Sequence, residues 1–249
     1  MAISYLASGA WTAVAGTPLV PALPTGLAAG NMMVMFVHCK PYTVVPSTPT
    51  GWTQLFSDTE GAVASGTDAG SIRSAGYYRE WISGDAAPSV TLTGSSVAVG
   101  IIHRYGKLFA AWHTPIGGFG GFDTAGTAVD ITAAGVSDIA SGDVVVGSFG
   151  KRSDAGTQSG QSFTATDATF GAATERVADV ASTLGQDIGA SGADAACTAG
   201  PASDDVHYLS TLTASHTGSG GVIRLREGVS ASRSLQKVYS QAVQTASGW

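Results

Sequence analysis

Charged side chains are scarce in this sequence of 249 residues. Asp, Glu, Lys and Arg make up 12% of it, about half of the ~25% that is usual in soluble proteins. Few charges are therefore available to repel other copies, and a surface rich in Gly, Ala, Ser and Thr favours contact with neighbouring subunits. We expect an obligate homo-oligomer.

Basic residues are the scarcest charged group. The sequence has 12 Lys and Arg against 18 Asp and Glu, a formal net charge of −6, and the basic residues are scattered singly. Binding along a nucleic-acid backbone needs a clustered basic stripe. Nucleic acid is therefore not an expected partner.

Long apolar runs and paired cysteines are missing too. The run Met32–Val37 is far shorter than the ~20 apolar residues that cross a bilayer, so we expect no membrane insertion. The start, Met1–Tyr5, lacks a basic segment followed by an apolar core, so we expect no secretory signal and synthesis in a cytoplasm. Cys39 and Cys197 have no metal-like spacing, and we expect both to be buried and unpaired.

Catalytic motifs are equally absent. The acids stand mainly in Gly/Ser/Thr-rich turns, including Asp204-Asp205, around which no calcium-ligand loop is spaced. Glu80 is an exception on a strand, where we expect an ion pair with Arg79 or Arg73. No histidine has a partner at metal-ligand spacing, and no Gly-x-Ser-x-Gly turn occurs. We predict a non-enzyme without cofactor or metal. The five histidines are His38, His103, His113, His207 and His216.

Short apolar runs bounded by turn residues predict β-strands throughout. The run Met32–His38 is continuously apolar, which indicates a strand covered on both faces. Val97–Tyr105 alternates, which predicts a half-buried strand. Trp52 and Trp81 lie in strand patterns and are expected in the core. The predicted strands are Met32–His38, Trp52–Phe56, Ile72–Ile82, Val90–Thr93 and Val97–Tyr105.

The two halves of the sequence resemble each other. Ala28–Val34 parallels Ala140–Val146: a loop, a Gly-Asn or Gly-Asp turn, then an apolar strand. Ile101–Gly106 similarly parallels Ile223–Gly228. Each half has the size of a β-sandwich domain of about 100 residues. We therefore predict an all-β fold of two tandem, distantly duplicated β-sandwich units.

The domain boundaries follow from composition. Residues 1–113 form the first predicted sandwich and 122–228 the second, with the Gly-rich segment 114–121 as linker. Three further stretches rich in Gly, Ser, Ala and Asp are predicted to be long exposed loops: 61–70, 150–161 and 185–200.

A short C-terminal helical arm, 229–249, completes the prediction. Leu235, Val238 and Tyr239 begin a helix-face spacing, so the arm either covers its own second sandwich or docks on a neighbouring subunit. Tyr42, Trp112 and Trp249 lie near loops or the terminus. They are candidates for subunit interface, local packing or glycan contact.

The order of several motifs resembles that of a group of phage and prophage virion proteins. The motifs are Ala-Gly-Asn before an apolar strand, Pro-Thr-Gly-Trp-Thr at 49–53, Tyr-Tyr-Arg-Glu-Trp at 77–81 and Ser-Val-Thr-Leu-Thr at 89–93. The group comprises tail, fibre and head-decoration proteins with jelly-roll-like sandwiches. The resemblance implies a virion structural protein that is assembled in the host cytoplasm and binds itself and other virion proteins. The alternative is a host-receptor or carbohydrate-binding module at a fibre tip, with a host cell-surface glycan as partner.

Overall fold

The protein is all-β, as the sequence predicts. The computed structural model describes residues 3–60, 71–108 and 111–228, and in these ranges it contains thirteen strands and no helix, hence no helix that could span a membrane. The strands are β1 Ile3–Ser8, β2 Thr12–Val14, β3 Met32–Lys40, β4 Thr53–Glu60, β5 Ile72–Glu80, β6 Val97–Lys107, β7 Ile116–Ala133, β8 Val144–Lys151, β9 Gln158–Thr164, β10 Thr169–Phe170, β11 Thr174–Ser182, β12 Ile188–Ala199 and β13 Val206–Leu225. The predicted arm, 229–249, lies outside the described residues.

The strands form two antiparallel sheets, one from each half of the chain. The first sheet has the order β1-β6-β3-β5-β4, and β2 also pairs with β6. β11 pairs with β12 along most of its length, so the second sheet has the order β11-β12-β8-β13-β7; β10 pairs only with the end of β12, and β9 with the start of β13. The two orders match strand for strand. The central strand β3 corresponds to β8, its neighbours β6 and β5 correspond to β13 and β12, and the edge strands β1 and β4 correspond to β7 and β11.

The same turn opens the central strand of each sheet. Gly30 and Gly142 have φ of 84° and 96°, values that favour glycine. The next side chain accepts a backbone hydrogen bond in both turns: Asn31 Oδ1 from Ala28 at 2.9 Å, and Asp143 Oδ2 from Ala140 at 2.8 Å. These matching contacts support the duplication.

The residues that correspond between β6 and β13, the last strands of the two sheets, differ slightly from those predicted. Met32 lies opposite Tyr105, and Val144 lies opposite Leu225. Tyr105 therefore corresponds to Leu225, two residues before the predicted Glu227. A shift of two keeps each side chain on its own face of the sheet, so the apolar pattern could not reveal it.

The two sheets pack face to face, and each carries a second layer on its outer face. The inner layer contains Val34, Phe36, Ile101 and Tyr105 from the first sheet and Val144, Val146, Ile223 and Leu225 from the second. The outer cluster of the first half joins Met33, Met35 and Val37 to Leu19, Trp52 and Trp81. That of the second half joins Val145, Phe149 and Val222 to Ile131, Phe163 and Tyr208. Each half is thus a two-layer unit, and their sheets share the inner core.

The structure confirms one strand prediction and corrects two others. All of β3 is buried, as predicted. Val97–His103 of β6 is also buried throughout, not on one face. The face with Ala98 and Ile102, which the pattern left to solvent, is covered by the outer cluster of the first half. Val90 forms an isolated bridge with Leu19, and no regular strand forms at 90–93.

Three predicted linker or loop segments are strand in whole or in part. Ile116–Gly121, in the predicted linker, is the start of β7, where Ile116 pairs with Arg224. Most of 185–200 is β12, a buried strand between β8 and β11. Segment 150–161 is irregular only at 152–157, and 61–70 lies outside the described residues. A Cβ on Gly118 would lie 2.3 Å from the Ala134 carbonyl oxygen, so glycine here permits a close approach of chains.

Both cysteines are buried and unpaired, as predicted. Burial raises the pKa of Cys39 to about 12. Its thiol therefore behaves as a small apolar group of the outer core in the first half.

Candidate functional site

A cleft of about 430 Å³ opens where β1 of the first sheet lies beside β11 and β12 of the second. Its volume is in the range of small-molecule sites. We call it the Arg176–Asp194 cleft, after the two charged residues that line it. Its lining also includes Ser4, Tyr5, Gly171 and Thr174.

Asp194 is a buried carboxylate held from both halves of the chain. It lies on β12 and is 5% exposed. Its Oδ2 accepts a hydrogen bond of 2.8 Å from the Tyr105 hydroxyl of β6. Burial, and next the Asp194 charge, raise the pKa of Tyr105 well above its usual value, so the phenol stays protonated and donates. Asp194 is thereby fixed in position.

Arg176 of β11 completes the charged pair. Its Nε lies 2.9 Å from Asp194 Oδ2, although the N–H is not directed at this oxygen. The guanidinium carbon lies 3.8 Å from the centre of the Tyr5 ring, which is a close cation–π contact. Tyr5 therefore holds the guanidinium beside the carboxylate.

Tyr5 is held in turn by a chain of hydrogen bonds that leads inward. Its hydroxyl lies 2.8 Å from Ser8 Oγ, which lies 2.7 Å from His103 Nδ1. Burial, and next the Arg176 charge, lower the pKa of His103 to about 3, so the imidazole is neutral. Its Nε2 has no hydrogen-bond partner among the described residues.

The charged groups of the cleft are of opposite sign. It presents a cationic donor next to an anionic acceptor, both preorganised. Acid–base hydrolysis of a glycoside needs two carboxyl groups on opposite sides of one bond, and among its described lining residues Asp194 is the sole carboxylate. Within the described ranges, no three His, Cys, Asp or Glu side chains gather in a way that could hold a metal ion.

A second polar centre lies between the sheets and is closed to solvent. His38 Nδ1 lies 2.7 Å from Ser74 Oγ, and His38 Nε2 lies 2.9 Å from Ser148 Oγ of the other sheet. Ser148 Oγ also lies 2.9 Å from the Ser191 carbonyl oxygen, and Ser74 Oγ lies 2.9 Å from the Ser219 carbonyl oxygen. Burial lowers the pKa of His38 to about 3. This Ser–His contact ties the sheets together and offers a substrate no access.

The acids at 204 and 205 stabilise turns, in agreement with the turn interpretation. Asp204 Oδ1 accepts from the Thr166 backbone at 2.6 Å, and Asp205 Oδ1 from the Gly135 backbone at 2.9 Å. Hydrogen bonds from Thr166 lower the pKa of the Asp204 carboxyl. Glu80 also has a structural partner, but it is Lys107 at 3.0 Å, where Arg79 or Arg73 was predicted.

The two predicted contact residues that the structure describes, Tyr42 and Trp112, lie apart. Tyr42 follows the end of β3, is half-buried, and its carbonyl accepts from Arg73 Nε at 2.8 Å. Trp112 lies at the other end of β3, where its Nε1 donates to the Gly30 carbonyl at 2.8 Å. Four further candidates lie outside the described residues: Leu235, Val238, Tyr239 and Trp249.

The sequence interpretation missed the residues of the cleft. Asp194 stands in segment 185–200, whose small residues predicted a loop. A usable signal was present, because Asp194 is the single charged residue in β12, and a lone charge in a buried strand needs a partner. Tyr5 and Arg176 come from different halves, and no local pattern joins them.

No family model, curated protein or solved structure matches this chain. Its function is therefore inferred from the geometry and the sequence.

Proposed function

We propose that the chain is a structural component of a bacteriophage virion, in the tail, a fibre or the capsid decoration. It acts through contacts with its own copies and with other virion proteins, and it is not an enzyme. The motif order at 49–53, 77–81 and 89–93 and the low charge content support this proposal.

The observation that best supports this proposal is that buried polar side chains form hydrogen bonds between the two halves. His38 links the sheets through Ser74 and Ser148. Lys40 of the first half donates to the Gln186 carbonyl of the second at 2.9 Å, and also to the Arg152 carbonyl. Such ties favour a rigid building block, which suits assembly.

The solution mass of the purified protein tests the assembly role. We expect a discrete oligomer in light scattering, unchanged on addition of host-envelope glycans. The protein should also be found by mass spectrometry in particles purified from the phage-producing host. A monomer at all concentrations, absent from particles, would contradict the proposal.

A second candidate function is recognition of a host cell-surface glycan, as at a fibre tip. The Arg176–Asp194 cleft favours it, because sugar hydroxyls both donate and accept hydrogen bonds. This function is compatible with a place in the virion. A monomer that changes mass when glycan is added would favour it over assembly alone.

The non-catalytic part of the proposal has its own test. We expect no release of reducing sugars when the protein is incubated with host polysaccharide. Release that Glu80→Ala or Asp194→Asn abolished would overturn it.

A further inference from the structure

We propose that the Arg176–Asp194 cleft binds one saccharide unit through two hydroxyls on neighbouring carbons. The inference rests on the second candidate function and names its site and ligand chemistry. It is independent of the place of the protein in a particle.

The unused hydrogen-bonding groups of the pair match such a diol. The two described partners of Asp194 both approach Oδ2, and Oδ1 accepts no hydrogen bond from a described residue. The terminal NH₂ groups of Arg176 likewise donate to no described group, since its one polar contact there is through Nε. One hydroxyl can donate to Oδ1 while its neighbour accepts from the guanidinium.

The pair is preorganised for this contact. Tyr105 fixes the carboxylate at 2.8 Å, and the Tyr5 ring fixes the guanidinium at 3.8 Å. A ligand therefore pays little to order these two side chains, which is the usual advantage of a rigid site.

Charge and lining favour a neutral, hydroxyl-rich ligand over an anion. The positive charge of Arg176 is offset by Asp194 at 2.9 Å, so an incoming phosphate or carboxylate would meet a carboxylate at the same site. Ile3, Val144 and Ala195 add apolar surface to the cleft. The C–H groups of a pyranose ring can pack against this surface while its hydroxyls face the pair.

Titration of the intact protein with simple sugars tests the site. The probes are methyl glucoside, methyl galactoside and N-acetylglucosamine, with inorganic phosphate as the anion probe, followed by saturation-transfer NMR and calorimetry. We expect at least one sugar to bind and phosphate not to compete. Asp194→Asn and Arg176→Gln should each raise Kd about tenfold or more, because each removes a charged hydrogen-bond partner.

Two further variants separate binding from folding. Gly171→Leu should block the cleft without touching the pair, because a Cβ at Gly171 meets its nearest atom only at 3.7 Å. Arg79→Gln breaks a comparable ion pair outside the cleft, with Asp85, and should leave Kd unchanged. Circular dichroism checks that each variant is folded.

The outcomes distinguish failure of the proposed site from failure of glycan recognition. Sugar binding that survives both Asp194→Asn and Gly171→Leu would overturn the site while leaving glycan recognition standing. Binding of none of the three sugars would overturn the site, and with it this route to glycan recognition. Phosphate binding without sugar binding would also overturn the proposal and identify an anion site.

Discussion

His38 and His103 are enclosed between the two sheets, at 1% and 0% exposure. Burial disfavours the imidazolium because the charged ring loses its hydration, and it lowers the pKa of each to about 3. Both rings serve as neutral hydrogen-bonding groups that position serine hydroxyls. Their burial lowers the stability of the fold only at a pH where the unfolded chain binds protons at these two rings and the folded chain does not.

The stability of the fold should therefore fall on mild acidification. Between pH 6.5, the ordinary histidine value, and about 3, the unfolded chain binds more protons at these two sites than the folded one. Stability is complete above this window and is lost as pH falls through it, by up to about 1.4 kcal/mol per pH unit for each histidine. Urea unfolding near pH 7 and near pH 5, above the range where most carboxyl groups titrate, measures the loss.

A variant isolates the contribution of His38. His38→Gln keeps a polar side chain for Ser74 and Ser148 but removes one titrating group. The loss between the two pH values should shrink by about half, and the double variant with His103→Gln should nearly abolish it. An unchanged loss in the double variant would assign the acid sensitivity to other groups.

At the scale of the element, composition misled the sequence interpretation where strands pack closest. β3 was predictable because its apolar run has a strand's length. β12 and the start of β7 were not, because Gly, Ala and Ser also signal loops. A Cβ on Gly221 of β13 would lie 2.4 Å from the Gly118 carbonyl oxygen of β7 and from Phe56 Cζ of the first sheet. Small residues are needed here because the packed sheets leave no room for a larger side chain, and this restriction exists only once the sheets have come together.

The repeated turn supplies a matched pair of substitutions. Asp143 is 2% exposed, and both its oxygens accept from Arg226 Nε, at 2.9 and 3.1 Å. Asp143→Asn removes the charge behind these bonds and should lower the free energy of unfolding by about 1–3 kcal/mol. Asn31→Asp, at the equivalent position, keeps the acceptor for the Ala28 N–H and should stay within about 0.5 kcal/mol of the parent.

Thermal and urea unfolding of both variants provide the measurement. Equal losses would mean that the turn, and not the ion pair, determines the stability of this segment. A larger loss for Asn31→Asp than for Asp143→Asn would contradict the assignment.

At the scale of the whole molecule, the duplication could be predicted from the sequence, but the packing of the two halves against each other could not. Matching Gly-Asn and Gly-Asp turns revealed two related units, because each turn is local. The face-to-face packing and the cleft depend on pairs such as Tyr5 with Arg176, which are 171 positions apart in the printed sequence. Hydrophobic periodicity shows that a face is buried, but it does not identify the partner that buries it.

Removal of residues 229–249 tests whether this segment takes part in assembly. Among the described residues, the apolar clusters of both halves run from residue 3 to residue 225, and we expect the truncated chain to keep its circular dichroism spectrum and unfold cooperatively. If the segment docks on a neighbouring subunit, the mass in light scattering should fall towards that of the monomer. Replacing Leu235, Val238 and Tyr239 by serine in the full chain should have the same effect, because these residues share the predicted apolar helix face. An unchanged oligomer in both proteins would assign assembly to the sheets and remove the docking arm, whereas loss of cooperative unfolding would show that the segment covers its own second unit.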